Sequence, residues 1–178
     1  LSVMFYGMLA HHLMTLDIGT NVLDSGAPFY QTYETSDGKF MAVGAIEGRF
    51  YAELIKGLEI DPSSLPHQMD MPQWPKMADR FATVFKTKTR DAWTRIFEGK
   101  DACVAPVLEL NEVEHHPHNR ERGLILNIDD VPQPAPAPRL SRTPGRAEPA
   151  RGRRGANTAE ILSELGYLEE EVKSLFKN

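Results

Sequence analysis

The sequence has 178 residues, a formal net charge of -5 and 41% hydrophobic residues, enough for one domain with a real core or for one small domain plus parts of another. So mild an acidic balance lacks the basic footprint of a nucleic-acid-binding protein. The single cysteine, Cys103, excludes an internal disulfide and fits a reducing compartment.

The opening LSVMFYGMLAHHLMTL is apolar. It lacks the basic leading region of a signal peptide and falls short of the roughly 18 apolar residues of a spanning helix. We read it as a core helix already under way at Leu1, so the chain is expected to be the remainder of a longer protein. Val3, Met4, Met8, Leu9, His12 and Leu16 recur at helical spacing and predict one buried face. His11 and His12 have no motif around them and are assigned no ligand or catalytic role.

Asp24 precedes Ser25, Gly26, Ala27 and Pro28, residues that bend a chain. Turn chemistry alone reads it as a capping aspartate. Its nearness to the apolar run that follows predicts partial desolvation, which would raise its pKa and its basicity. Phe29, Gln31, Tyr33 and Thr35 then fall on one side of a strand, with Tyr30, Thr32 and Glu34 on the other. Ser36, Asp37 and Gly38 supply a hairpin turn, and residues 40–43 form the return strand. Glu47 opens a helix with the stripe Phe50, Tyr51, Leu54, Ile55 and Leu58, where the positive end of the helix accounts for a carboxylate without catalysis.

A turn-rich break over residues 61–66 leads to a predicted helix over 71–85, with Trp74, Met77, Phe81, Val84 and Phe85 inward. Pro72 and Pro75 are tolerated in its first turn. Thr89 caps a further helix carrying Trp93, Ile96 and Phe97. Residues 102–108 read as a short buried strand, and Cys103 within it as a packed, unreactive thiol. Asn111 starts a short helix containing Glu112, a solvated helix charge on general grounds. His115, His116 and His118 lie near Glu112 and Glu114, but Pro117 breaks the helical spacing a metal site would use, so no metal is assigned.

From Val131 to Gly155 the composition shifts to Pro, Ala and Arg. Alternate prolines at 132, 134, 136 and 138 predict an extended polyproline strap. Arg139, Arg142, Arg146, Arg151, Arg153 and Arg154 make it basic, suited to CoA phosphates or a partner chain, or simply solvated. Asn157 and Glu160 form a capping-box variant before Ile161, Leu162 and Leu165. Gly166 ends that helix, and residues 168–176 add another through Val172, Leu175 and Phe176. The tail is expected to return to the first helix.

The motif series Asn21-Val22-Leu23-Asp24-Ser25-Gly26-Ala27-Pro28-Phe29-Tyr30, Asp37-Gly38-Lys39-Phe40, Val43-Gly44-Ala45-Ile46-Glu47, Asp101-Ala102-Cys103-Val104, His116-Pro117-His118-Asn119 and Pro134-Ala135-Pro136-Ala137-Pro138-Arg139 resembles the alpha-methylacyl-CoA racemases of the family III CoA-transferase superfamily. The likeness runs from about Gly19 to Tyr167 and covers the second part of a family member.

The resemblance implies 2-methylacyl-CoA racemisation, with Asp24 as one acid/base group, Glu112 as a supporting glutamate, and Glu47 and Tyr30 at the substrate. It places the opposite acid/base group, a histidine in a Gly-His-Asp context, upstream, together with most CoA-binding segments. No such motif occurs here, so the chain alone is expected to be inactive. Ser25 stands where the family usually has Gly, which suits the bend unless a positive φ is required. No cofactor is implied beyond the CoA thioester substrate, and no metal, nucleic acid or membrane. The implied partner is a second copy in an interlocked homodimer, in the cytoplasm of a bacterium or the peroxisome or mitochondrion of a eukaryote. Phe176-Lys177-Asn178 is no recognisable peroxisomal ending.

The expected fold class is mixed α/β, a small hairpin-plus-helices domain flanked by remnants of a larger domain. Residues 1–28 would be the end of the larger domain and the active-site loop, 29–126 the small domain, 127–156 the strap and 157–178 the returning helices. A family III CoA transferase with Asp24 as nucleophile, or a non-catalytic interaction module, are the alternatives.

Overall fold

In the computed structural model, residues 2–148, 152 and 154–175 are described, so Arg151, Arg153 and Phe176 of the sequence reading lie outside the described residues. The chain divides into two units, Leu1–Leu108 and Glu109–Asn178.

In the first unit, strands β1 (Tyr30–Glu34) and β2 (Phe40–Gly44) form the expected hairpin, with Tyr33 opposite Met41. Gly38 closes its turn at φ 74, a conformation that costs a residue without Cβ little. Tyr33, Thr35 and Phe29 are buried, whereas Tyr30, Thr32 and Glu34 are exposed, as period-2 alternation requires. Strand β3 (Val104–Pro106) pairs antiparallel with β2, giving the order β1-β2-β3.

Helices α2 (Gly48–Gly57), α3 (Trp74–Phe85) and α4 (Arg90–Phe97) supply the rest of this core. Phe29, Tyr33, Met41, Leu54, Trp74, Phe81, Phe85 and Trp93 are all essentially inaccessible. Tyr33 stacks on Phe85 at 4.9 Å between ring centroids, and Phe29 meets Trp74 edge-on at 5.7 Å, geometries that add to plain burial. Thr89 caps α4 by accepting from Ala92 N. Arg90 is buried among these apolar groups with its guanidinium donating to the Val107 carbonyl, so a charged residue ties the start of α4 to the end of β3.

Three expectations for this unit are corrected. The first helix, α1, is Ser2–Ala10, contains no buried residue, and is apolar on all sides rather than along a stripe; Val3 is 86% and Tyr6 73% exposed. His12 and Leu16 lie beyond its end. The helix predicted from Met71 begins as a 3-10 turn, Met71–Gln73, and becomes α-helical at Trp74. Cys103 is exposed rather than packed. It adopts φ 49 just before the strand, so the apolar run there is a bend followed by only three paired residues.

The second unit holds α5 (Leu110–Val113), α6 (Pro117–Glu121), a hairpin of β4 (Ile125–Ile128) and β5 (Val131–Pro134), α7 (Thr158–Glu164) and α8 (Glu169–Leu175). The start of the expected strap is therefore a strand. Asp129 and Asp130 both take positive φ, 52 and 61, the requirement of a two-residue type I′ turn. Pro132 and Pro134 fit because β5 is an edge of a two-stranded sheet, where an absent amide donor is harmless. Residue 126, the expected end of the small domain, lies within β4. Beyond Pro134, residues 135–148 have neither helix nor strand, and Arg139 donates to the Gly123 carbonyl at 2.8 Å.

Asn157 caps α7 by position, but its amide contacts the Glu160 carboxylate at 3.4 Å rather than the backbone. The capping box expected there is not formed. Ile161 and Leu165, expected as an apolar face, are exposed, while Val172 of α8 is buried. No helix among the described residues is long and apolar enough to cross a membrane.

Candidate active site

Asp24 sits in the loop between α1 and β1, and its carboxylate is turned back on that loop. It accepts from Asn21 Nδ2 at 2.8 Å, Asn21 N at 2.7 Å and Gly19 N at 3.0 Å. The Asn21 side-chain amide above all, helped by the backbone N–H groups of Asn21, Gly19 and Gly26, holds the carboxyl below its usual 3.8. That corrects the expectation of a desolvated, more basic aspartate: hydrogen bonds to the charged form outweigh burial here. Asn21 is the hub the sequence reading missed. Its side-chain oxygen accepts from Thr15 N, and its amide also reaches the carbonyls of Thr15 and Asp17. Polar residues at i and i+3 in a turn-rich stretch were the available signal.

A folded carboxyl titrating below 3.8, against about 3.9 in an unfolded chain, stabilises the loop fully above that range. The contribution is lost as pH falls through the folded pKa. We expect the Gly19 and Asn21 amide proton resonances to move together in an acid titration with a midpoint below 3.8, and this shared step to vanish in Asp24→Asn. A midpoint above 3.8 would show that the clamp does not exist in solution.

Pro28 and Phe29 carry the chain from this loop into β1. Tyr30, the first residue of β1, lies opposite Gly44, the last of β2. Its side chain is on the outward side, 37% exposed. At the same end of the sheet the Phe29 carbonyl accepts from Ala45 N, the Cys103 carbonyl accepts from Gly44 N at 2.8 Å, and Gly44 O accepts from Ile46 N. The chain thus bends at Ala45 and delivers Glu47 as the N-cap residue of α2, with φ -73 and ψ 141. The Glu47 side chain is exposed and makes no cap hydrogen bond. It stands at the positive end of a ten-residue helix, which favours a negative charge without occupying its oxygens. Partial desolvation pushes the Cys103 thiol up, and the carboxylates of Asp101 and Glu47 push it further. Cys103 is thus an exposed thiol whose surroundings on balance disfavour its thiolate.

Glu112 lies in the other unit, on α5. It forms a reciprocal capping box with Glu109, its Oε2 accepting from Glu109 N at 2.9 Å. The helix begins at Leu110, one residue before the predicted start. Such a bond satisfies an otherwise orphaned amide of the first turn. His116 is the N-cap position of α6, and His115 Nε2 lies 3.2 Å from Glu114. Among the described residues no group of three or more His, Cys, Asp or Glu side chains converges on a point. An apolar groove of about 720 Å³ runs past Leu110, Val113, Ile125, Pro132 and Pro134, with Glu109 and Glu114 on its rim.

Of the three carboxylates singled out in the sequence, Asp24 and Glu112 have oxygens committed to local backbone, and Glu47 has no such cap bond. The structure brings Tyr30 and Glu47 to one end of the sheet, with the Asp24 loop leading into it.

Comparison with known proteins identifies the lineage. The sequence pattern described as CoA-transferase family III matches residues 1–158. The chain is 52% identical over 159 residues to alpha-methylacyl-CoA racemase of Mus musculus, covering 88% of this chain and 42% of that protein. It is 52% identical over 161 residues to the Homo sapiens alpha-methylacyl-CoA racemase, with the same coverages. It therefore spans well under half the length of these curated relatives. A solved structure of Rv3272 from M. tuberculosis superposes with a TM-score of 0.55 at 11% identity, over 80% of this chain and 38% of that one, which speaks for the fold. This chain itself is built of mixed helices and small antiparallel sheets. On the match over residues 1–158, this chain belongs to CoA-transferase family III.

Proposed function

We propose that this chain is part of a 2-methylacyl-CoA racemase, which inverts the carbon next to the thioester carbonyl by removing its proton from one face and returning one to the other. The observation that carries this reading is the 52% identity to two alpha-methylacyl-CoA racemases over 88% of the chain. The acyl-CoA thioester is the substrate.

Inversion through an enolate needs two acid/base groups and a way to hold the developing negative charge. The geometry supports Glu47 as the group this chain contributes, because its carboxylate is exposed at a fixed point beyond the sheet and carries no cap bond. In that role it accepts or returns the α-proton, or relays it through an opposing group outside this chain. Tyr30 lines the same end and suits contact with the acyl chain or thioester. Asp24 and Glu112, given catalytic roles on resemblance, serve better as a loop clamp and a helix cap.

In the assembled, full-length enzyme, Glu47→Gln should lower solvent-deuterium incorporation at the α-carbon about 10²-fold, the usual scale of general acid–base assistance. Asp24→Asn should leave most of that exchange and destabilise the loop instead. Full exchange in Glu47→Gln would remove Glu47 from the chemistry, and its disappearance in Asp24→Asn with an intact fold would restore Asp24 to it.

In the transferase alternative Asp24 would attack the thioester carbonyl as a carboxylate, forming an acyl anhydride as the CoA thiolate leaves. An acyl adduct on Asp24 in mass spectra after acyl-CoA addition would support transfer.

The homodimer is proposed too. Val3, Met4, Tyr6 and Leu13 are exposed, an apolar surface of the kind that marks association. Sedimentation of the chain should show concentration-dependent self-association, and a monodisperse monomer across the accessible concentration range would contradict it.

A further inference from the structure

Gln68 comes from the loop between α2 and α3, far in sequence from the end of β2, yet its side-chain amide donates to two consecutive carbonyls there. Nε2 lies 2.8 Å from Ile46 O and 3.2 Å from Ala45 O. Both N–H groups of one amide are thus spent on the two peptide units immediately before Glu47. Those carbonyls belong to residues outside the strand ladder, in the bend that Ile46 N closes onto Gly44 O. Gln68 is itself anchored. Its backbone carbonyl accepts from the indole Nε1 of Trp74 at 2.9 Å, and Trp74 is 2% exposed and packed edge-on against Phe29. The chain of contacts runs from a core tryptophan, through the backbone and side chain of one glutamine, to the peptide that aims Glu47.

We infer that Gln68 is a positioning residue for Glu47, fixing the peptide planes of Ala45 and Ile46 so that the carboxylate projects from one place at the start of α2. The inference rests on the role proposed for Glu47 above. A residue at a helix N-cap has two soft dihedrals of its own, and the two preceding peptides set where they start. Without the amide, two half-buried carbonyls lose their partners and the bend is free to rotate. Proton transfer tolerates little of that, because a displacement near 1 Å costs about 10²-fold in rate. Substrate binding depends on the wider surface and changes less.

The test is made on the assembled, full-length enzyme with Gln68→Met, which keeps length and bulk but donates nothing, and Gln68→Asn, which keeps the amide but withdraws it by one methylene. Neither touches the backbone carbonyl that holds Trp74, so the core anchor persists. Deuterium incorporation at the α-carbon is followed over substrate concentration, alone and combined with Glu47→Gln. The expected result is a fall in kcat of about tenfold for Gln68→Met, with KM changed less than about twofold, and a smaller fall for Gln68→Asn. In the Glu47→Gln background Gln68→Met should cost almost nothing further, since the two act as one unit. If Gln68→Met leaves kcat intact while Glu47→Gln abolishes exchange, the positioning inference fails and the racemase reading stands. If Gln68→Met lowers kcat by the same factor with and without Glu47, Gln68 is only structural and the inference is again overturned. Retained exchange in Glu47→Gln itself defeats the assignment of Glu47, and with it any role for Gln68 through that group.

Discussion

Gly26→Ala is expected to destabilise the chain by about 3 kcal/mol, the upper end of what an added methyl costs in a site that cannot open. A Cβ built on Gly26 would lie 2.3 Å from Thr20 C, 2.6 Å from Asn21 N and 2.7 Å from Asn21 O. All three are backbone atoms, so no side chain can swing aside. They are also the backbone of the clamp: Gly26 N donates to Asn21 O at 3.0 Å, and Asn21 N donates to Asp24. Relieving the clash therefore means pulling apart the hydrogen bonds that hold Asp24. The neighbouring position should respond with the opposite sign. Ser25 adopts φ 71, a left-handed conformation costing an L-residue about 1–2 kcal/mol, and Gly returns part of that gain through a freer unfolded chain. Ser25→Gly should then stabilise by roughly 0.5 kcal/mol. Thermal unfolding reads both, at about 2–4 °C per kcal/mol for a chain of this size. A melting point unmoved by Gly26→Ala would mean that the loop between α1 and β1 is not closed in solution.

The same loop shows where sequence reasoning stops. Turn residues from Ser25 to Pro28 announced a bend, and the sterics of Gly26 and the positive φ of Ser25 follow from it. The direction of the Asp24 carboxylate did not, because a carboxylate facing its own loop and one facing a cleft have the same local sequence. The hairpin was legible, since alternation from Phe29 to Thr35 and Gly38 after Asp37 leave one register that buries Tyr33 and Met41. The cap of α4 by Thr89 was legible for the same reason: each is a local pattern with a local cause. Capping by Glu109 and Glu112 had its signal too, the spacing of three residues between them, which the family resemblance overshadowed. Alternate prolines hid β5 because they fit both an extended strap and an edge strand, and the discriminating Asp129–Asp130 turn lay outside the proline-rich run. Nothing local could have found Gln68, whose partners Ala45 and Ile46 lie 23 and 22 residues away. Helix α1 failed differently. Apolar residues on all its sides satisfy any helical spacing, so a face was read where none exists.

Trp93→Ala is expected to have the largest effect on the first unit, about 3–5 kcal/mol, as for other buried aromatics cut to Ala. The side chain is fully inaccessible. It packs 5.1 Å from Phe85 and 6.0 Å from Phe97, with the Lys88 ammonium 4.5 Å above the ring. Its indole N–H donates to the Phe85 carbonyl at the end of α3, 2.8 Å away. Truncation thus leaves a cavity where three aromatic rings met and deprives a buried carbonyl of its donor, and the second loss adds to the first. Trp93→Phe separates them: it keeps most of the ring and should cost only about 1–3 kcal/mol, mainly for the unpaired carbonyl. Domains are stable by only about 5–15 kcal/mol, so Trp93→Ala should remove a large share and lower the melting temperature by about 6–20 °C. The consequence reaches the candidate site, because α4 packs against β3, and β3 pairs with β2 just before the bend to Glu47. A melting temperature within about 3 °C of the parent would mean that α3 and α4 are not joined through this ring. In that case the rigid platform beneath Tyr30 and Glu47 would have to be sought in the Phe29–Trp74 contact alone.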